Sequence, residues 1–272
     1  RPREFDLSVE MFIAMDPPRH SERRKVVAPA MQGPSLEKLE GLIRVRVGEI
    51  LDGLPRNETF DWAERVSVEL TSQMLATLFD SPFEDRRKLI HWSDVATTAD
   101  ITDEDRRAQF VECGEYFSRL WNARVNAPPA DDLVSMLAHG QATRNMTPQE
   151  FLGNIILLII GGSDTTRNSI SGGVLALDQN PKEYDKLIAN PELIPNMVSE
   201  IIRWQTPLAY MRRVATRDVE LGGKLIKKGD KVLMWYVSGN RDEEAIERAD
   251  QFLIDRPRAR QHIAYGFGIH SC

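Results

Sequence analysis

The sequence predicts a mainly α fold with a small β region near its end. Three observations carry this. Apolar residues recur on a helical period through most of the chain before residue 205. The period then shortens, and residues 214–221 and 225–226 flank Gly222-Gly223, a hairpin signal. Between them, Thr147-Pro148-Gln149-Glu150 opens a helix long enough to cross a domain.

Taken in order, residues 1–15 are apolar-aromatic, with Phe5, Met11, Phe12 and Ile13, and read as a loop or a cut helix. Asp16-Pro17-Pro18 reads as a helix start, with Asp as cap and Pro in the first turn. The helix behind it carries His20, Arg23, Arg24 and Lys25. His20 and Arg24 are four apart and share a face, which by itself reads as a solvated basic stripe. Residues 35–54 and 58–79 follow as helices, with Leu36, Leu39, Leu42, Ile43, Val47, Ile50 and Leu51 on one side of the first. Residues 82–107 read as a helix, a loop and a new start. Residues 106–124 are helical again, closed by Asn126-Ala127-Pro128-Pro129, and a short helix opens at 131–137.

The helix from Pro148 is predicted to run to about Leu177, roughly 45 Å, stopped by Asn180-Pro181. It is apolar on nearly all sides at 155–160, so it belongs in the core. Gly161-Gly162-Ser163-Asp164-Thr165-Thr166 then interrupts it. Glycine costs about 1 kcal/mol in a helix interior. This pattern predicts a distortion, a packing kink or a close ligand approach. Residues 191–204 form another helix, with Glu200 and Arg203 three apart; the apolar Ile201, Ile202 and Trp204 argue that the pair is buried. Beyond the hairpin come a strand at 232–237, a short helix at 240–249, and a closing loop from 255.

Composition bounds the function. The 272 residues are 42% hydrophobic and 28% charged, enough to bury a large core. No linker, composition break or repeat divides them, so residues 1–272 read as a single domain. A formal net charge of −6 argues against a nucleic-acid surface. The apolar run at 155–160 is too short for a membrane span, which takes about 20 residues. With only Cys113 and Cys272 there is no disulfide framework, and a reducing cytoplasm is the default setting. Cys113 reads as a buried, inert thiol.

The closing loop is His262-Ile263-Ala264-Tyr265-Gly266-Phe267-Gly268-Ile269-His270-Ser271-Cys272. Its glycines permit a backbone that lies close to a flat ligand, and its thiol is placed to ligate a metal. By itself it is equally an ordinary glycine-rich turn. Both ends read as cut, the second on the suspected ligand.

The order of these motifs is more specific than any one of them. His20 and Arg24, Gly161-Gly162-x-Asp164-Thr165-Thr166, Glu200-x-x-Arg203, Arg213 in a strand after that helix, Arg256 in a loop, and aromatic-Gly-x-Gly-x-His-x-Cys at 265–272 occur in series. The series resembles the haem-thiolate monooxygenases of the cytochrome P-450 superfamily across essentially the whole chain. Residues 11–18, 162–169 and 207–213 are similar to the soluble bacterial alkane and medium-chain terminal hydroxylases. The resemblance implies the cytochrome P-450 fold, here incomplete at both ends. It implies haem b with Cys272 as axial ligand to iron, where thiolate favours O–O cleavage. His20, Arg24, Arg213, His262 and His270 then fall at positions that serve the propionates. Gly161, Gly162 and Phe267 fall against the haem. Asp164 and Thr165 match an acid–alcohol pair that serves bound O2. Glu200, Arg203 and Arg256 match a buried structural group behind the Cys loop, and Leu208, Ala209 and Met211 a substrate wall.

The implied activity is insertion of one oxygen atom of O2 into an unactivated C–H bond of a small hydrophobic substrate. Electrons would come from NAD(P)H through a ferredoxin reductase and ferredoxin. The implied protein is a soluble, monomeric, cytoplasmic bacterial enzyme. Another haem reaction (peroxygenase, isomerase, dehydratase), another hydrophobic substrate, and a non-catalytic haem-binding protein remain as alternatives. Two positions depart from the pattern. Tyr265 replaces the commoner Phe. Ser271 stands where Arg is expected in the terminal-hydroxylase subgroup.

Overall fold

A computed structural model of the chain describes residues 10–272. The expectation for residues 1–9, Phe5 among them, lies outside the described residues. The chain divides into two compact units, Arg1–Arg167 and Asn168–Cys272.

The first unit is helical: α1 (Arg19–Val27), α2 (Pro34–Asp52), α3 (Glu69–Phe79), α4 (Arg86–Thr97), α5 (Asp103–Val125), α6 (Leu133–His139) and the larger part of α7 (Pro148–Gln179). Its core is one apolar cluster built from α3, α4, α5, α6 and α7, with Leu75, Phe79, Leu89, Trp92, Cys113, Phe117, Leu133, Leu137, Ile155 and Ile159 at its centre. Phe117 meets Phe79 edge-on with ring centroids 5.1 Å apart, and Trp92 lies 6.0 Å from it. Cys113 is fully buried there, and burial pushes its thiol far above the ordinary value, as an inert role requires.

Three helix starts follow sequence chemistry closely. Thr102 Oγ1 accepts the Asp105 N–H at 3.0 Å, and Asp132 Oδ1 accepts that of Ser135 at 2.8 Å. At α7 the capping box is complete. Glu150 donates its N–H to Thr147 Oγ1 at 3.2 Å, and the Thr147 N–H returns to Glu150 Oε2 at 2.9 Å.

Elsewhere the expectations need correction. Asp16 does not cap α1 with its carboxylate; its backbone carbonyl accepts the His20 N–H at 3.1 Å. The second long helix is preceded by a π-helical turn at Ala63–Val68. In contrast, α7 is unbroken through Gly161 and Gly162, so the glycines do not interrupt it. The apolar stripe of α2 lies on a peripheral helix without one fully buried residue.

The second unit holds the end of α7, then α8 (Pro181–Ala189), α9 (Ile194–Gln205), β1 (Tyr210–Val214), β2 (Val219–Leu221), β3 (Lys224–Ile226), β4 (Lys231–Trp235) and the single turn α10 (Tyr236–Gly239). The β region is two separate antiparallel pairs, β1 with β4 and β2 with β3. The hairpin at Gly222-Gly223 is shorter than predicted, because Val214 pairs with Lys231 and belongs to β1. Helix α8 went unread, although Pro181 after Asn180 is the same start signal as Pro148. The helix expected at 240–249 is a run of turns. The apolar cluster of this unit is small: Ala176, Phe252 and Ile254, edged by Leu177, Leu187, Leu193, Met197, Ile201 and Trp204.

Candidate functional site

The second unit compensates for its small apolar cluster with a buried polar one. Glu200 and Arg203 lie one turn apart on α9, and both are buried. Arg203 donates from Nε to Glu200 Oε2 and from Nη2 to Oε1, each at 2.8 Å, a bidentate pair. Arg256, also buried, donates from Nε to Glu200 Oε2 at 2.9 Å. Charges this deep persist only when their remaining protons and lone pairs are taken. Here they are. Arg203 donates to the carbonyls of Asn240 at 2.7 Å, Ala249 at 2.8 Å and Gln251 at 2.9 Å. Arg256 donates to those of Gln251 at 2.7 Å and Arg248 at 2.9 Å, and to that of Glu247. Glu200 Oε1 also accepts the Leu253 N–H at 2.9 Å. Within 240–249, where the chain makes turns, the carbonyls of Asn240, Glu247, Arg248 and Ala249 answer to Arg203 and Arg256.

One further residue ties this group to the closing loop, and sequence reasoning missed it. Asn240 is fully buried. Its Oδ1 accepts the Ile263 N–H at 2.8 Å, and its Nδ2 donates to Thr206 Oγ1 at 2.8 Å, which donates to the Arg203 carbonyl at 2.7 Å. An Asn in a turn-rich stretch carries no signal of such a role.

The loop itself is folded back by its own backbone. Gly266 donates to the Ile263 carbonyl at 2.8 Å, Ser271 to that of Gly268 at 3.0 Å, and Cys272 to that of Tyr265 at 2.9 Å. Gly266 has φ +70°, and a Cβ there would meet the Tyr236 hydroxyl at 2.8 Å, so glycine is required twice over. The Cys272 thiol is exposed, Phe267 is 90% exposed, and Ile269 and Tyr265 are exposed beside them. His270 sits half-buried on the same loop.

His262 meets the Tyr265 ring edge-on at 5.1 Å. Burial, then the Arg203 charge, hold its pKa below the ordinary value against the pull of Glu200. Its Nδ1 accepts the Ala264 N–H at 3.2 Å, so the ring proton belongs on Nε2. As placed, His262 offers Nε2–H as its free donor. On β1, Met211 and Arg213 share the half-buried face, opposite Met234 and Val232. Leu208 and Ala209 lead into that strand, also half-buried.

In the first unit, His20 is buried on α1 with the Phe12 ring at 6.4 Å, and Arg24 is half-buried. The basic stripe is therefore not simply solvated. Arg23 donates to Glu150 Oε1 at 2.6 Å and Arg19 to the same oxygen at 2.9 Å. Burial works to raise the Glu150 pKa, but the Thr147 amide and the two arginines outweigh it and hold the carboxyl below its ordinary range.

At the middle of α7 the two glycines differ. A Cβ on Gly161 would meet nothing within 4 Å, whereas one on Gly162 would meet Leu75 Cδ2 at 2.9 Å. Gly161 therefore bares backbone to open space, and Gly162 serves packing. Thr165, four residues on from Gly161 and on the same face, donates from Oγ1 to the Gly161 carbonyl at 3.2 Å. Asp164 is held by Arg167, whose Nη2 and Nε donate to Oδ1 at 2.7 and 3.2 Å.

Haem is the cofactor that the motif order implies, and the residues present fit it. The Cys272 thiol shares its loop with Phe267 and Ile269, exposed apolar side chains that a flat apolar ligand would cover. One thiol suits an iron whose other donors come with its macrocycle.

Comparison with known proteins agrees. Residues 121–272 match the family model described as Cytochrome P450. The chain is 35% identical over 267 residues to linalool 8-monooxygenase of Pseudomonas putida, covering 96% of this chain and 65% of that protein. It superposes on cytochrome P450-153 from Novosphingobium aromaticivorans with TM-score 0.93 and 45% identity, and on CYP153D17 from Sphingomonas sp. PAMC 26605 with TM-score 0.93 and 51% identity. Both superpositions cover 100% of this chain and 69% of the other, so the chain spans about two thirds of the length of these relatives. The match over more than half of the chain, with the fold shared throughout, shows that this chain belongs to the cytochrome P450 family.

Proposed function

We propose that the protein is a haem-dependent monooxygenase that hydroxylates a terminal carbon of n-alkanes or of medium-chain fatty acids or alcohols. We read residues 1–272 as part of one catalytic domain. The observation that carries the oxygen-activating reading is the centre of α7. There an acid and an alcohol, Asp164 and Thr165, stand beside a bare glycine on an uninterrupted helix. The terminal-hydroxylase reading rests on the sequence resemblance at 11–18, 162–169 and 207–213. The 45% and 51% identity to two P450-153 structures supports the P450 reading as a whole.

Haem b, when bound, supplies the oxygen-activating iron and the store for electrons. Cys272 would hold the iron through its thiolate. His20, Arg24, Arg213 and His270 would meet the propionates, and His262 would add its Nε2–H. Phe267 would lie against the porphyrin. Gly161 keeps the helix surface clear. Thr165 Oγ1 must leave the Gly161 carbonyl to donate toward the substrate side. Asp164 passes protons from solvent inward, which is general acid work by a positioned carboxyl. Glu200, Arg203 and Arg256, with Asn240, hold the backbone that carries the thiol. Leu208, Ala209 and Met211 give an apolar wall suited to an alkyl chain. Electrons come from NAD(P)H through a ferredoxin reductase and ferredoxin, to a monomeric cytoplasmic enzyme.

The test is made on the full-length protein. Reduced with CO, it should show the thiolate-haem absorption band; a band typical of imidazole ligation would remove Cys272 as ligand. With octane, NAD(P)H and a ferredoxin system it should form 1-octanol. No 1-octanol, together with oxidation of linalool, would replace the alkane reading by a terpene one, which the likeness to linalool 8-monooxygenase favours. Thr165→Ala should divert oxygen from product to peroxide; fully coupled turnover would overturn the role of Thr165.

A further inference from the structure

Arg167 stands one turn beyond Asp164 on α7, and the function above leaves it unused. Its Nη2 donates to Asp164 Oδ1 at 2.7 Å and to Asp94 Oδ1 of α4 at 2.6 Å. One guanidinium thus lies between two carboxylates from different helices of the first unit. The Arg167 side chain is 18% exposed, Asp164 24% and Asp94 50%. Burial works against the Arg167 charge, but the hydrogen bonds to Asp94 and Asp164 outweigh it and hold its pKa above the ordinary value. It stays charged at any working pH.

The geometry has two consequences. Both bonds from Arg167 to Asp164 fall on Oδ1, so the guanidinium fixes that rotamer through one oxygen. Asp94 draws on the same Nη2, so the two carboxylates compete for one donor group and Asp94 limits how firmly Arg167 fixes the Asp164 side chain. A relay group must keep enough freedom to swing between the donor and the acceptor of its proton. We propose that Arg167 is the positioning residue for Asp164, and that Asp94 tunes its hold by competing for the same guanidinium. This rests on the reading of Asp164 as the proton-relay acid. Sequence reasoning passed over Arg167, and the approach of Asp94, distant in the chain, left no signal in it.

The experiment uses the full-length haem-loaded protein, with octane as substrate, or linalool where octane gives no product. Arg167→Gln should lower kcat about tenfold and leave KM within about twofold, with Arg167→Lys recovering part of the loss. Asp94→Asn, which leaves the guanidinium to Asp164, should lower kcat about threefold and enlarge the solvent isotope effect. Urea unfolding supplies a readout independent of turnover. The cycle of Asp94→Asn and Arg167→Gln should show a coupling of about fivefold in the unfolding constant. An additive cycle overturns the shared hold. If Asp164→Asn slows turnover and Arg167→Gln does not, the positioning role is overturned and the relay stands. If Asp164→Asn changes neither turnover nor isotope effect, the relay reading falls and this role with it.

Discussion

A methyl group added to Gly161 would enter open space, and one added to its neighbour Gly162 would meet the buried Leu75. The two substitutions should therefore part company. Alanine is favoured over glycine in a helix interior by about 1 kcal/mol. Gly161→Ala should show that gain in urea unfolding, yet lower the fraction of oxygen that ends in product, because on the proposed reading its methyl would enter space a ligand uses. Gly162→Ala meets a core side chain at 2.9 Å. Overpacking of this kind costs about 1–3 kcal/mol, so the gain is cancelled or reversed. His262 makes a second residue-level prediction. Its pKa is lower in the fold than the ordinary 6.5. The unfolded chain then binds its proton first as pH falls, so stability from this group is present above about pH 6.5 and is lost as pH drops through the folded value. Replacing it by Gln should flatten the Tm profile just below neutrality; an unchanged profile would clear His262 of the effect. Sequence spacing placed His262 in the closing loop, but its protonation depends first on burial and then on Arg203, which lies far away in sequence.

At the scale of elements, the Glu200–Arg203 helix was legible because two ionic residues one turn apart among Ile201, Ile202 and Trp204 have no cheap place to be buried except together. Glu200→Gln removes the only anion bound by both Arg203 and Arg256 in this cluster. Leaving buried cations uncompensated costs about 3–5 kcal/mol, and urea unfolding should report a loss of that order. Asn240→Ala should cost about 1–3 kcal/mol, the penalty for orphaning buried partners, and should loosen the Ile263 amide in hydrogen exchange. Other elements were read with their type right and their depth wrong. The apolar stripe of α2 named a helix, but Leu36, Ile43 and Leu51 remain exposed on it. Helical period reports which residues share a face and is silent on what that face meets. The turns at 240–249 were misread because two side chains from outside the segment, Arg203 of α9 and Arg256, take carbonyls of that segment. The unbroken α7 shows the converse: glycine lowers helix propensity, and thirty-two residues of packing and capping outweigh two of them.

At the scale of the molecule, the family was legible because one cofactor imposes chemistry on residues far apart in sequence, and those residues keep their order. What sequence could not supply is how stability is distributed. The unit Arg1–Arg167 has a large aromatic and aliphatic cluster, whereas Asn168–Cys272 has a small one and the charged group around Glu200. Local opening is governed by the contacts each segment buries, so hydrogen exchange should separate the two. Amides of Leu75, Phe79, Trp92, Phe117, Ile155 and Ile159 should be among the slowest. Those of Val219–Leu221 and Lys224–Ile226, whose pair is exposed along nearly all its length, should exchange fastest among the strands. The decisive comparison is with Glu200→Gln. Because the polar group, more than apolar area, holds the second unit, this change should accelerate exchange through 194–205 and 247–256 and leave the Phe79 and Ile155 amides within about twofold of their original rates. Uniform acceleration in both units would mean that the protein opens only as a whole, and that Glu200 stabilises the molecule rather than the segment it binds.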